Sequence, residues 1–229
     1  MPPLILFDID LTLIHTLGAG RKALASAFAR LWALEDPTAG VSFDGRTDHA
    51  IFNEVIALNA LADGDLDCVF ARAVEGYLEE LPRSIAASES ARILPGVVEI
   101  LDALDERGIR PGLATGNLRR GAAIKLGHFG LWDRFPAGGF GDDSPVRADV
   151  VRSGLESLAA ALQCDPDPAR AIVVGDTPLD VEAAHLAGVP ALGVATGRYT
   201  VEDLLAGGAD YALKDLSDTA HVLDVLLGR

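Results

Sequence analysis

Two short runs, Leu4-Ile5-Leu6-Phe7 and Ala171-Ile172-Val173-Val174-Gly175, contain no polar side chain and stop at an aspartate, Asp8 and Asp176. A strand with one wet face alternates polar and apolar residues. Unbroken runs of this length read instead as strands covered on both faces, the condition of a parallel sheet. Such sheets bind ligands beyond the C-terminal ends of their strands. The two-residue period then sends Asp8 and Asp10 the same way from the first strand, with Thr12 two positions further on. Paired carboxylates repel unless a shared proton or a cation relieves them, and Mg²⁺ suits a site of oxygen ligands. Taken alone, the pair also admits a lesser reading as loop acids capping the next helix.

The segment 14–92 shows helical spacing only. Helices are expected at about 20–34 (Leu24, Phe28, Leu31, Trp32), at 48–59 with Thr47 or Asp48 as N-cap, and at 66–81, closed by Pro82. No strand is expected there. Strands and helices alternate afterwards. The pattern predicts a helix at 97–107 ended by Gly108, a strand at 109–114, a helix at 119–129 and a weak strand at 135–141. A helix at 148–162, the strand 171–175 and a helix at 179–187 follow. The chain closes with a strand at 190–194, helix 201–206, strand 209–213 and helix 217–227. This order predicts an α/β fold, a doubly wound parallel sheet of Rossmann-like type with an all-helical insertion. The implied division is 1–13 with 93–229 as the α/β core domain, and 14–92 as the helical domain.

At 229 residues, 49% hydrophobic, the chain can bury a substantial core. Its formal net charge is −15, and neither 14–92 nor the remainder is basic. That excludes a nucleic-acid surface or an anionic membrane as partner and makes single basic residues near the strand ends candidates for meeting an anionic small molecule. Cys68 and Cys164 lack metal-ligand spacing and are expected to be buried free thiols. The N-terminus has no basic, then apolar, signal-type pattern, and no run reaches the ~18 apolar residues of a membrane span. A soluble, cytoplasmic protein is expected.

The chemistry collects at four strand ends. The first supplies Asp8, Asp10 and Thr12, the second Thr115, Gly116 and Asn117, the loop after the third Arg147, and the fourth Asp176 and Asp180. One polar residue at one strand end means little; four sets on one sheet edge make a site. Asp8 is placed to attack as a nucleophile and Asp10 to move a proton. Asp8 and Asp176 can chelate one Mg²⁺ from different strands. Thr115 and the Gly116 and Asn117 amides can hold phosphate oxygens where a helix begins. Arg147 would neutralise charge growing on a transferring phosphoryl group.

These residues carry a resemblance. Asp8-Ile9-Asp10-Leu11-Thr12 matches the DxDxT motif of the haloacid dehalogenase-like (HAD) hydrolases, Thr115-Gly116-Asn117 resembles their second motif, and Gly175-Asp176-Thr177-Pro178-Leu179-Asp180 resembles their GDxxxD fourth motif. The helical insertion is similar to the cap of the phosphoglycolate-phosphatase-like subgroup. The resemblance implies that Asp8 forms an aspartyl-phosphate and that Asp10 protonates the leaving group, then activates water. It implies Mg²⁺ bound by Asp8, the Asp10 backbone carbonyl and Asp176, with Asp180 in support, and phosphate held by Thr115 and Asn117. The family's third-motif lysine is replaced by Asp143-Ser144-Pro145-Val146-Arg147. Arg147 is the favoured substitute. Lys125 competes, although it lies roughly 9 Å along its helix at ~1.5 Å per residue. The implied activity is Mg²⁺-dependent hydrolysis of a small phosphomonoester, such as phosphoglycolate or a sugar phosphate. A phosphomutase, a 2-haloacid dehalogenase and a catalytically silent phosphate-binding protein are the rival readings.

Other residues carry weaker signals. Arg46, in Gly45-Arg46-Thr47-Asp48, reads either as a substrate contact or as part of a solvated helix start. Among the histidines only His15 lies near the first motif. Trp32 and Trp132 read as core or seam residues, and Asp63, Asp65 and Asp67 as a solvated turn. Gly197-Arg198-Tyr199 is placed to border the site.

Overall fold

In the computed structural model, which describes residues 3–61 and 65–228, the first apolar run forms β1 (Leu4–Phe7), every residue of it buried. The chain leaves it through β2 (Ile14–His15) into α1 (Ala19–Trp32), α2 (Asp48–Leu58) and α3 (Leu66–Ala86), and returns by β3 (Arg92–Ile93). It continues through α4 (Val97–Asp105), β4 (Gly112–Ala114), α5 (Arg119–His128), β5 (Gly138–Gly139), α6 (Arg147–Ala161), β6 (Ala171–Gly175) and α7 (Pro178–Leu186). It ends with β7 (Ala191–Val194), α8 (Val201–Ala206), β8 (Tyr211–Leu213) and α9 (Thr219–Leu226). The main sheet has the order β5-β4-β1-β6-β7-β8, and every pairing is parallel. β1 therefore lies between β4 and β6, which brings three motif-bearing strand ends side by side.

Alternate residues of β1 serve opposite faces. Ile5 and Phe7 pack with Ile172, Val174, Leu101, Leu126 and Val222, under α4, α5 and α9. Leu4 and Leu6 pack with Val173, Leu155, Val181 and Leu204, under α6, α7 and α8. Burial on both faces is what the unbroken apolar runs demanded. A third cluster belongs to α1–α3: Leu24, Phe28, Ile51, Phe52, Val55, Tyr77 and Leu81, joined by Leu118 from the sheet edge.

Several details differ from the sequence-based expectations. β2 and β3 form an antiparallel ribbon, Ile14 opposite Ile93 and His15 opposite Arg92, so the segment 14–92 is not purely helical. Two-residue strands leave no periodic trace. Pro82 does not close α3, which runs on to Ala86 because Leu81 and Ile85 continue its buried face past the proline. β4 starts at Gly112 rather than 109, since Pro111 has no N–H to give a ladder. β5 shrinks to Gly138–Gly139. Cys68 is exposed and Cys164 only partly buried, so neither is the buried thiol expected; both are free. Trp32 and Trp132 pack against core clusters. Asp65 caps α3 by accepting from Asp67 and Cys68, whereas Asp63 lies outside the described residues. No described helix is long and apolar enough to cross a membrane.

Candidate active site

The backbone of β6 extends the first strand by one step, because Asp8 N–H donates to Val174 O at 2.9 Å. The chain then coils tightly. The N–H groups of Thr12, Leu13 and Ile14 all converge on Ile9 O, and Leu11 takes a φ of 59°. Thr196 Oγ1 donates to Leu11 O at 2.5 Å and pins the coil from the β7 side. On the neighbouring strand Asp176 follows β6 directly. Asp180 sits in the first turn of α7, in a capping box with Thr177: its Oδ2 accepts from Thr177 N–H at 3.0 Å and Oγ1 at 2.7 Å. Asp8, Asp176 and Asp180 are buried, and each offers a carboxylate oxygen within 4.8 Å of the others. The backbone at Gly197 passes so close to Asp176 Oδ2 that a side chain there would collide with it.

Two cations meet these acids. Arg147, the first residue of α6, places Nη2 3.1 Å from Asp8 Oδ1 and also bonds Asp180 Oδ1. Lys125 lies well inside α5, yet its stem reaches back, and Nζ donates to Asp10 Oδ2 and Asn117 Oδ1, each at 2.5 Å. Asn117 Nδ2 donates to Asp10 Oδ2 and Thr115 Oγ1, both at 2.8 Å. The choice between Arg147 and Lys125 thus resolves into two positions. Arg147 holds the Asp8–Asp180 side and Lys125 the Asp10–Asn117 side.

The electrostatics follow from burial. Desolvation raises the Asp8 pKa to about 7, with Arg147 opposing the rise and Asp180 and Asp10 adding to it. Burial pushes Asp176 to about 9, reinforced by Asp180 and Asp8 against Arg147. For Lys125 and Arg147 burial works against the charge, but the surrounding carboxylates outweigh it and raise both. One guanidinium does not neutralise three acids. Hard oxygen donors held close enough to repel one another fit a divalent cation such as Mg²⁺. Both oxygens of Asp180 are taken by Thr177 and Arg147, so its part is to hold its neighbours in place.

A cavity of about 360 Å³ opens over these groups, lined by Asp8, Asp10, Gly116, Asn117, Lys125, Arg147 and Asp176 on the sheet side. Across it stand Leu24, Phe43, Ile51, Phe52 and Tyr77 from the helical block and its loops. Thr12, expected at the substrate, is 1% exposed and lies outside the cavity lining; its Oγ1 has no hydrogen-bond partner among the described residues. Arg46 lines the cavity, but its guanidinium is engaged by Glu54 and by Ser42 O at 3.0 Å. Arg198 lines it as well, paired with Asp44 at 2.7 Å. His15 also faces the cavity, and burial, then Arg92, lowers its pKa.

The helical block is fastened to the phosphate-loop candidate. Asp48 N–H donates to Gly116 O at 2.6 Å, and Leu118 N–H donates to Asp48 Oδ2 at 2.9 Å. Thr47 caps α2 and donates to Pro145 O at 3.2 Å. A side chain on Gly116 would strike the Arg46 backbone. Burial raises the Asp48 pKa to about 6 despite Lys125 and the Leu118 amide. Sequence reasoning missed Asp48 as part of the site, and also Tyr77, Phe52 and Arg21. Only Asp48 sat within a stretch already singled out; the rest look like ordinary helix residues.

A family model described as haloacid dehalogenase-like hydrolase matches residues 2–188. The phosphoglycolate phosphatase of Agrobacterium fabrum is 29% identical over 95% of this chain and 90% of its own. The validoxylamine A 7'-phosphate phosphatase of Streptomyces hygroscopicus subsp. limoneus is 28% identical, covering 93% of each chain. The crystal structure of a hydrolase from Pseudomonas syringae superposes with a TM-score of 0.71 at 19% identity, over 98% of this chain and 99% of that one.

Proposed function

The chain belongs to the haloacid dehalogenase-like hydrolase family, and from that premise we propose that it is a Mg²⁺-dependent phosphomonoesterase acting through an aspartyl-phosphate on Asp8. The observation that carries the reading is the buried cluster of Asp8, Asp176 and Asp180, with carboxylate oxygens within 4.8 Å of one another. Asp8, Asp176 and the Asp10 backbone carbonyl would hold the ion, with Asp180 fixing Thr177 and Arg147 around them. When bound, Mg²⁺ supplies charge neutralisation that lets Asp8 stay ionised beside two other acids.

The side chains divide the reaction between them. Asp8 attacks phosphorus, and the bond to the leaving oxygen breaks in line. Asp10 gives that oxygen its proton and then takes one from the water that cleaves the acyl-phosphate. Lys125 and Asn117 fix the Asp10 carboxyl in place. Gly116 and Asn117, which line the cavity, hold phosphoryl oxygens, while Thr115 lies buried behind them and positions Asn117 by accepting from its N–H and Nδ2. Arg147 stabilises the charge that grows on the phosphoryl group. Residues 14–92 act as a cap on a core of 1–13 and 93–229, and the cap closes the cavity against bulk water. The protein works as a soluble, cytoplasmic enzyme on a small phosphate ester, without nucleic-acid or membrane partners.

The named relatives act on different esters, phosphoglycolate and validoxylamine A 7'-phosphate, so the shared chemistry is monoester hydrolysis. A 2-haloacid dehalogenase would have no use for the buried acid cluster. The test is phosphate release from a panel of monoesters. Release that requires Mg²⁺, stops with EDTA and is lost in Asp8→Asn is expected; release undiminished in Asp8→Asn refutes the mechanism.

A further inference from the structure

The side of the cavity opposite the acid cluster carries an apolar stretch among its polar residues. The cavity's volume of about 360 Å³ falls among sites that enclose a whole organic ligand, roughly 300–1,000 Å³. Leu24, Ile51 and Phe52 give it an apolar wall. Two of the three arginines on that side are paired with acids. Arg46 is neutralised by Glu54, and Arg198 by Asp44. Arg21 is exposed and engaged, donating to Val41 O at 2.7 Å and lying over the Phe43 ring at 4.1 Å.

One polar group on that wall has no partner. Tyr77 is 2% exposed, lines the cavity, and its hydroxyl makes no hydrogen bond among the described residues. The phenol is held by the aromatic face of Phe52, 5.4 Å away and nearly perpendicular. Its oxygen and Lys125 Nζ flank the same point on α1, 3.7 and 3.6 Å from where a side chain on Gly20 would begin. Lys125 has used two of its three N–H donors, on Asp10 and Asn117. Asp48 lines the cavity too, with Oδ2 taken by Leu118 and Oδ1 open as an acceptor. Burial, with the charges of Asp48 and Asp10, keeps the Tyr77 proton in place.

We propose that Tyr77, Lys125 and Asp48 form a hydroxyl-binding subsite for the leaving group, and that the substrate is the monophosphate of an uncharged, ring-sized polyol rather than a phosphorylated carboxylic acid. The inference rests on the phosphatase reading above. The subsite adjoins Asp10, which protonates the leaving oxygen, so it holds the organic part while the phosphoryl group faces Asp8. A ring can lay its apolar edge on Leu24, Ile51 and Phe52 and turn a hydroxyl to the Tyr77–Lys125–Asp48 set.

The experiment measures Mg²⁺-dependent phosphate release from glucose 6-phosphate, myo-inositol 1-phosphate, phosphoglycolate and phenyl phosphate, in the parent enzyme and in Tyr77→Phe. The parent is expected to favour one of the two polyol esters over phosphoglycolate in kcat/KM. In Tyr77→Phe the ratio of polyol to phenyl kcat/KM should fall about 3- to 10-fold, the loss of one hydrogen bond, chiefly through KM. A ratio within one protein is unaffected by partial misfolding. A parent that prefers phosphoglycolate, or a ratio unmoved by Tyr77→Phe, overturns this inference and leaves the phosphatase reading intact. Release from none of the four esters overturns both.

Discussion

Removing the guanidinium of Arg147 tests the charge balance most directly. Arg147 is buried between Asp8, 3.1 Å from Nη2, and Asp180, with Asp176 completing the acid cluster. Arg147→Met keeps much of the stem's volume and deletes the charge, leaving three buried acidic side chains, of which Asp176 already holds a proton at neutral pH, with no cation among them. Breaking a buried pair from one side costs about 3–5 kcal/mol. For a chain of this size that is a fall in Tm on the order of 10 °C. The measurement is calorimetric melting near neutral pH, in EDTA and in excess Mg²⁺. A divalent ion bound to the same acids should return part of the loss, so the variant gains more from Mg²⁺ than the parent does. Phosphate release should fall by about 10²–10³, the usual cost of deleting one preorganised charge-stabilising group. An Arg147→Met protein that melts within about 2 °C of the parent in EDTA would refute the idea that this side chain offsets the cluster's repulsion.

Two further expectations can be checked. Gly197→Ala puts a methyl against Asp176 Oδ2, so the Mg²⁺ concentration needed for half-maximal activity should rise at least several-fold; an unchanged Mg²⁺ titration would separate Gly197 from the ion's cradle. Asp48 titrates at about 6 in the fold against 3.8 in the reference state, so the folded protein holds the extra proton. Its contribution to stability is intact below about pH 3.8 and is lost as pH rises through about 6, by up to about 3 kcal/mol. Denaturant melts across that window should therefore show Asp48→Asn gaining on the parent as pH rises, and a pH-independent difference would contradict the sign.

What could be read from the sequence was whatever a short rule determines. β1 and β6 were legible because burial on both faces forbids polar residues, and the acids at their ends follow from topology alone. Arg147 was legible as the first basic residue at a helix start. Lys125 was harder, since a residue deep in a helix reaches a strand end only through a long flexible stem. Tyr77, Arg21 and Phe52 were illegible as site residues: they are widely separated, Tyr77 and Phe52 have the spacing of any core-facing helix position, and Arg21 looks like any exposed cation on a helix. Thr12 erred in the other direction. Its place in the motif suggested the substrate, but the coil at Ile9 turns its hydroxyl into the interior.

The ribbon of β2 and β3 gives this chain a kind of modularity. Everything between Thr16 and Ala91 departs and returns through one narrow strap, Ile14 beside Ile93 and His15 beside Arg92. On the proposed division, the stretch that chooses the ester is tied covalently to the stretch that cleaves it by two adjacent threads, and rests on it through the Asp48–Gly116 and Thr47–Pro145 hydrogen bonds. Mutations that reshape the chooser leave the register of the central sheet alone, so selectivity in such a protein is free to drift while its bond-breaking apparatus stands still.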